Sequence, residues 1–158
     1  MGIPEERFMR LAIEKAQEGV ARGQSPFGAC IVRDGAVIAC EHNVVWAATD
    51  VTAHAEVHAI RVACARLRSI DLSGGELYST CEPCPMCFSA AHWAKLRRVV
   101  FGTRIDDARA CGFSELGIPN VEMKRLGGSP LEITGDFLRE ESLAIFQQWM
   151  ARADRRSY

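Results

Sequence analysis

Apolar positions recur at helical spacing in three long stretches of the chain. From residue 5 to about residue 21 they fall three or four positions apart, and Gly23 ends the run, which predicts a first helix. The same spacing predicts helices from His54 to about Arg68 and from Glu140 to Arg152. Each helix would turn one apolar stripe toward a core and leave its other face in water.

Shorter apolar runs predict the strands of a sheet. Gly28–Val32 and Ala36–Ala39 are two such runs, and the Asp34-Gly35 pair between them is a strong signal for a tight hairpin turn. Three further strands are predicted at residues 76–80, 98–102 and 131–134. Since strands and helices alternate along the chain, the pattern predicts an α/β fold with helices on both faces of one sheet.

The remaining stretches give weaker patterns. Pro85 to Leu96 reads as a helix, whereas the polar stretch from Glu41 to Thr52 predicts a loop. The segment from Asp106 to Lys124 shows only a short helix near residues 107–111. Neither internal repeats nor low-complexity linkers interrupt the chain, so residues 1–158 are predicted to form a single domain.

Composition narrows the class of protein. The 158 residues suit one domain, and 48% hydrophobic and 25% charged residues are usual for a globular fold. A net charge of −1 offers no general basic footprint for nucleic acid. The first residues lack the apolar core of a signal peptide, and no run approaches the ~18 apolar residues of a membrane span. We therefore expect a cytoplasmic protein without a membrane partner.

Seven cysteines in such a chain argue against a disulfide framework and for a metal site. The segments His54-Ala55-Glu56 and Pro83-Cys84-Pro85-Met86-Cys87 match H-x-E…P-C-x-x-C, the known signature of the zinc deaminases. Pro85 suits the first position of a helix, so Cys84 and Cys87 would share the face of its first turn. With His54 they give three metal ligands and leave a fourth tetrahedral position for water, as in catalytic zinc sites.

Glu56 supplies the remaining chemistry. It lies two residues beyond His54, near the expected water but not as an obvious ligand. A carboxylate there can take a proton from the water and return it to a ring nitrogen and then to the departing amine. His54, Cys84, Cys87 and Glu56 thus predict a hydrolytic deamination.

The same residues allow other interpretations. Cys81 as a fourth ligand would give a closed, structural site, but Glu56 would then have no task. His54 and His58 have the spacing of a zincin helix, although the glutamate does not directly follow the first histidine. A zinc ribbon would show two C-x-x-C knuckles instead of one. The alternative without catalysis is a zinc-stabilised scaffold.

The residues from Ser25 to Tyr158 resemble bacterial guanine deaminases of the cytidine-deaminase-like superfamily. The most specific segments are residues 52–61, 80–87 and 110–115. The resemblance implies a three-layer α/β/α fold with a mixed five-stranded sheet, one Zn²⁺ per chain and a place in purine metabolism. It also implies a homodimer in which the segment from about residue 135 to 158 crosses to the partner's active site.

The resemblance further implies a set of substrate contacts. Asn43 would hydrogen-bond the base, Glu115 would hold the guanine edge, and Tyr158 would close the site. Phe27, Ala55 and Trp93 are expected to line the pocket. Water would attack C2 of guanine while Glu56 protonates N3, which releases xanthine and ammonia.

Departures from the family pattern leave the substrate less defined than the reaction. Val51 stands where proline is common, Ser114 replaces an acidic residue, and Trp46 adds bulk beside Asn43. Plant guanosine deaminases share much of the pattern, and cytosine or a triazine amine such as ammeline would undergo the same chemistry. A tRNA adenosine deaminase shares the metal motif, but the net charge and Glu115 argue against it.

Overall fold

Five strands form one mixed sheet in the computed structural model, which describes residues 2–158. The strands are β1 (Gly28–Arg33), β2 (Ala36–His42), β3 (Glu76–Cys81), β4 (Arg98–Thr103) and β5 (Glu132–Thr134). Their order across the sheet is β2-β1-β3-β4-β5. β1 is antiparallel to β2 and to β3, whereas β3, β4 and β5 run parallel. The predicted mixed five-stranded sheet is confirmed.

Helices cover the sheet in two outer layers. They are α1 (Glu6–Ala21), α2 (Val45–Ala48), α3 (Ala55–Leu67), α4 (Pro85–Trp93), α5 (Ile105–Ala110), α6 (Asn120–Gly127) and α7 (Arg139–Met150). α1 packs with α7 over one face, and α3 packs with α4 over the other. Because both faces are covered, β1, β3 and β4 are buried along nearly their whole length, as their continuous apolar sequences require.

The β1–β2 hairpin contains a disulfide bond that the cysteine count did not predict. Asp34 and Gly35 both have positive φ angles, as the predicted turn needs, and the turn pairs Arg33 with Ala36. A register shift between Ile31 and Val32 then places Cys30 opposite Cys40. Their Cα atoms lie 4.0 Å apart, and their sulfur atoms are bonded. The cysteine count argued against a disulfide framework, and this one bond forms because cross-strand pairing brings together two cysteines that are ten residues apart.

Other elements also differ from the sequence prediction. α2 lies within the stretch expected to be a loop, and α6 lies in the segment that gave no clear pattern. α4 ends at Trp93, before the expected Leu96, because Lys95 adopts a left-handed conformation that an α-helix cannot continue. None of the helices within residues 2–158 is both long enough and apolar enough to span a membrane.

A buried ion pair joins the parallel strands β3 and β4. Arg98 lies beside Glu76 in the register, and its Nη2 donates to Glu76 Oε2 at 2.6 Å. Its Nη1 donates to the carbonyl oxygen of Gly2 at 2.6 Å, which ties the N-terminal segment to the sheet. Burial opposes ionisation of Glu76, but hydrogen bonds from Arg98 and Arg97 outweigh it and lower the pKa of the Glu76 carboxyl group.

We expect Arg98→Met to destabilise the fold by about 2 kcal/mol, because Glu76 loses its buried partner and keeps the more exposed Arg97. The double variant Glu76→Gln/Arg98→Met should recover much of that loss in urea denaturation.

Since the folded state lowers the pKa of Glu76, the pair stabilises the wild type above the ordinary glutamate pKa. This contribution should disappear as the pH falls through the folded-state value. Equal unfolding midpoints for Arg98→Met and the wild type would contradict this account.

Candidate active site

The N-termini of α3 and α4 meet at one point on the sheet and carry the predicted metal ligands. His54 is the N-cap residue of α3, and Cys84 is the N-cap residue of α4. Pro85 occupies the first turn of α4, which places Cys87 on the same turn as Cys84. Both cap residues have extended backbone conformations, so the chain enters each helix abruptly and turns these side chains toward one another.

The geometry of this cluster fits a zinc ion. His54 Nδ1 lies 3.7 Å from Cys84 Sγ and 3.6 Å from Cys87 Sγ. Tetrahedral zinc with ordinary bond lengths would separate a nitrogen and a sulfur ligand by roughly 3.6 Å. Among residues 2–158, these three side chains form the single group of histidine, cysteine or acidic residues compact enough to hold a metal ion. The cluster therefore leaves a position for water or substrate.

The electrostatics of the cluster favour a metal cation. A hydrogen bond from Cys87, opposed by burial and aided by His54, lowers the pKa of the Cys84 thiol to about 4. The hydrogen bond to Cys84, together with burial, raises the pKa of Cys87. The partial positive charge of a helix N-terminus also favours thiolate. A lowered pKa favours the thiolate form of Cys84, which suits a divalent cation.

Glu56 lies beside the metal cluster in a nearly closed environment. Its side chain is 5% exposed, and burial raises the pKa of its carboxyl group. Ser79 Oγ on β3 donates to Glu56 Oε1 at 3.0 Å, and Cys87 Sγ lies 3.5 Å from Oε2. Sequence reasoning missed Ser79, although a serine inside an otherwise apolar, buried strand is a signal for such a contact.

A cavity of about 320 Å³ opens over the cluster. Its walls come from the segment before α3, the start of α4, the segment after α5 and the C-terminal residue: Val51, His54, Cys84, Pro85, Met86, Phe113, Ser114, Glu115, Leu116 and Tyr158. A narrow recess lies beside the same ligands and is lined by Phe27, His54, Glu56, Cys81, Glu82, Cys84 and Glu115. His54, Cys84 and Glu115 therefore line both the cavity and the recess, and Glu56 lines the recess beside them.

The structure brings Asn43 and Tyr158 together at this site. Asn43 is fully buried, its Oδ1 accepts a hydrogen bond from the Val45 amide, and its Nδ2 donates to Tyr158 Oη at 2.6 Å. The Tyr158 ring lies 5.6 Å from the His54 ring, and the Ser114 amide donates to the Tyr158 carbonyl oxygen at 2.9 Å. The C-terminal residue thus covers the metal cluster of its own chain.

The other predicted substrate residues have different positions relative to the cavity. Phe27 lines the recess and packs edge-on against Phe113, with ring centroids 5.0 Å apart. Ala55 is the fully buried first residue of α3. Glu115 lines both the cavity and the recess, and burial with the negative charge of Cys84 and Glu56 raises its pKa to about 7.

Trp93 does not line this cavity, which corrects the expectation from the sequence. It is the last residue of α4, 81% exposed, and borders a separate surface cavity beside His92. Six residues along a helix separate it from Cys87 by about 9 Å, too far for it to close the metal site. Trp46, by contrast, packs near the site, with Arg156 over its ring at 4.2 Å and the Tyr158 ring 6.1 Å away.

The alternative ligands also lie outside the cluster. Cys81 Sγ points to the carbonyl oxygen of Arg104 at 3.6 Å, and burial raises its pKa well above the ordinary value. His58 Nδ1 lies 3.0 Å from the carbonyl oxygen of His42. Neither side chain belongs to the group that could hold the ion. The arrangement is therefore that of an open site and not of a fourfold protein-ligand cage.

An α/β/α sandwich with a His-Cys-Cys cluster and an adjacent buried glutamate defines the class of zinc-dependent hydrolytic deaminases. Residues 3–103 match the model of the cytidine and deoxycytidylate deaminase zinc-binding region. The chain belongs to this family, and the hydrolytic deaminase predicted from its motifs is confirmed at the level of the family.

Relatives of the chain act on more than one kind of purine. A guanine deaminase of Bacillus subtilis is 41% identical over 97% of this chain and 98% of its own length. A tRNA-specific adenosine deaminase of Agrobacterium fabrum is 44% identical over 86% of this chain and 95% of its own. The solved structure of a guanine deaminase from Nitrosomonas europaea superposes with a TM-score of 0.87 at 31% identity, covering 96% and 87% of the two chains.

We expect Cys87→Ala to lose zinc when the metal content of the purified protein is measured. Losing one of three ligands should weaken binding by more than the ~10–100-fold typical of a residue that only supports a ligand. Cys64→Ala is the matched control, because Cys64 lies on α3 outside the metal cluster. Zinc retained at the wild-type level in Cys87→Ala would show that this cysteine is not a ligand.

Proposed function

We propose that this protein is a guanine deaminase, which hydrolyses guanine to xanthine and ammonia. The observation that carries the proposal is the position of Glu115 in the same recess as Glu56 and the metal cluster. Guanine presents N–H donors on the edge next to its 2-amino group, and a carboxylate can accept them. Adenine and cytosine present a ring-nitrogen acceptor beside their amine, which would face the Glu115 oxygens without a hydrogen bond.

The residues of this chain divide the chemistry among them. Zinc held by His54, Cys84 and Cys87 would supply a Lewis acid that lowers the pKa of the attacking water. Glu56 takes one proton from that water and delivers it to N3 as C2 is attacked. It then carries the second proton, from the hydroxyl group added at C2, to the departing amine. One water molecule is consumed and one ammonia is released. Ser79 holds one oxygen of Glu56, so the other remains directed toward the cluster.

Asn43 and Tyr158 are proposed to hold and enclose the base. Val45 orients the Asn43 amide, and its Nδ2, which donates to Tyr158 Oη, would turn to a ring acceptor when Tyr158 moves aside for the base. Tyr158 packs against Phe113 with ring centroids 5.5 Å apart and covers the cluster. Phe27 completes the proposed walls, whereas Ala55 is fully buried behind them. An enclosed site excludes water that would otherwise weaken these polar contacts.

The same enclosure supports a free base in preference to a nucleotide in a polynucleotide. A flipped nucleotide needs a path for its sugar and phosphates, and Tyr158 with the Ser114 segment stands over the site. The net charge of −1 adds no general attraction for phosphates. Guanosine carries one sugar only and remains the nearest alternative substrate.

Assembly, metal stoichiometry and location complete the proposal. We infer a cytoplasmic homodimer with one zinc ion per chain. In such a dimer, the segment from about residue 135 to 158 would reach the partner's site and form there the contacts that Tyr158 makes within one chain. Light scattering of the zinc-loaded protein measures its mass directly. A purely monomeric species would contradict the proposed exchange of this segment between protomers.

We expect the zinc-loaded protein to release ammonia from guanine and not from guanosine, cytosine, adenine or a tRNA anticodon stem-loop. The acceptor oxygens of Glu115 and the covering tail give this order of preference. Each amine is offered to the same sample while ammonia is measured. Release from guanosine alone would move the substrate to the nucleoside, and release from the stem-loop alone would overturn the proposal.

Glu56→Gln should reduce guanine turnover by at least about 10²–10⁴-fold, the usual contribution of a general acid–base, while zinc content stays unchanged. The amide has the shape of the carboxylate but cannot carry the proton. We expect a smaller loss of turnover in Ser79→Ala, because this substitution removes a hydrogen bond to Glu56 but leaves its carboxylate in place. Full activity in Glu56→Gln would contradict the mechanism.

A further inference from the structure

The metal-binding loop, residues 82–84, joins β3 to α4 and begins with the buried acid Glu82. The proposed mechanism gives Glu82 no role. It lies between Cys81 and Pro83, two residues before the ligand Cys84, and is 7% exposed. Burial of a carboxylate is costly unless its oxygens are hydrogen-bonded, so the partners of Glu82 show what it does.

Each oxygen of Glu82 accepts from the N-terminus of a different helix. Oε1 accepts from the Asn120 amide at the start of α6 at 2.8 Å. Oε2 accepts from the Ile105 amide at the start of α5 at 3.4 Å. These amides have no partner within their own helices, and the helix dipole favours a negative charge at both points. One carboxylate therefore joins two helices to the metal-binding loop.

Asn120 strengthens the same junction from the other side. Its side chain is fully buried, and its Nδ2 donates to the carbonyl oxygen of Pro83 at 2.6 Å. The Glu82 amide also donates to the Thr103 carbonyl oxygen at 2.7 Å, just before α5. Loop and helices are thus linked by four hydrogen bonds around Glu82.

The segment between these two helices is the part of the cavity wall that carries Glu115. Residues 111–119 contain no helix or strand, and Phe113, Ser114, Glu115 and Leu116 all line the cavity. An irregular segment has few ladder hydrogen bonds of its own, so the positions of its ends decide where its side chains lie. α5 precedes the segment and α6 follows it, and the first residue of each is bonded to Glu82.

We propose that Glu82 is a positioning residue for substrate recognition. Its carboxylate fixes both helices that flank residues 111–119 to the metal-binding loop, and thereby sets the place of Glu115 relative to the metal ligands. This inference rests on the proposed role of Glu115 toward guanine. It assigns Glu82 no contact with substrate and no proton transfer.

The test is Glu82→Gln in the zinc-loaded, full-length protein. The amide keeps one acceptor oxygen but turns an NH₂ group toward a backbone N–H, so one anchoring bond is lost. We expect kcat/KM for guanine to fall at least about tenfold, as for the loss of a hydrogen bond to a charged group. Asp106→Asn is the control, because this acid is exposed on α5 and does not contact the loop.

A double-variant measurement with Glu115 distinguishes a positioning role of Glu82 from a general loss of structure. In a Glu115→Gln background, Glu82→Gln should change kcat/KM less than about twofold, because the group that it positions is already lost. Additive effects of the two substitutions would overturn the proposal. So would a fall in zinc content in Glu82→Gln, since Glu82 would then serve the ligands instead of the Glu115 segment.

Hydrogen exchange provides a readout that does not depend on guanine. Glu82→Gln should speed exchange of the amides of residues 113–116 while those of α3 remain protected. Unchanged exchange in this segment would overturn the inference even if activity falls. If the wild type does not deaminate guanine, the proposed function fails, and hydrogen exchange still decides the role of Glu82. Asn120→Ala, which removes only the bond to Pro83, should shift exchange in the same direction if Glu82→Gln does not fold.

Discussion

The site depends on one constraint, the meeting of two helix N-termini at the sheet. Each N-terminus offers a partial positive charge and an abrupt entry of the chain, so the cap residues His54 and Cys84 can face one another. Without that meeting His54 would be separated from the two cysteines, which share the first turn of α4. The parallel β3–β4 pair and the packing of α3 against α4 hold the two N-termini in place.

Burial of Glu56 is the second consequence of this arrangement. A carboxyl group on the first turn of α3 is pressed between β3 and α4, where it is removed from water and its pKa rises. A raised pKa suits a group that must both accept and donate a proton. The hydroxyl of Ser79 limits the cost of that burial by satisfying one oxygen.

The sequence predicted the main helices and strands of the fold but not the structure of its irregular segments. Periodicity and turn chemistry located the hairpin at Asp34-Gly35, and the metal motif named the three ligands, because these signals are local. α6 and the Glu82 junction depend on contacts between residues distant in the chain, and the Cys30–Cys40 disulfide depends on a register shift within the hairpin; no periodicity encodes either. Trp93 was misplaced for a different reason: six positions along a helix put it about 240° around the axis from Cys87, off the face that carries this ligand.

In the proposed function, chemistry and specificity are carried by different parts of this fold. The ligands and Glu56 lie on helices packed against the sheet, whereas Glu115 and Tyr158 lie on segments outside regular structure. On this proposal, a change in those segments would alter which amine reaches the site without changing the metal ligands. Relatives of similar identity that deaminate guanine or a tRNA adenosine are consistent with such a division. The bonds that hold the irregular segments would then also set the substrate, and besides the bond between Ser114 and Tyr158 they include the two that Glu82 accepts.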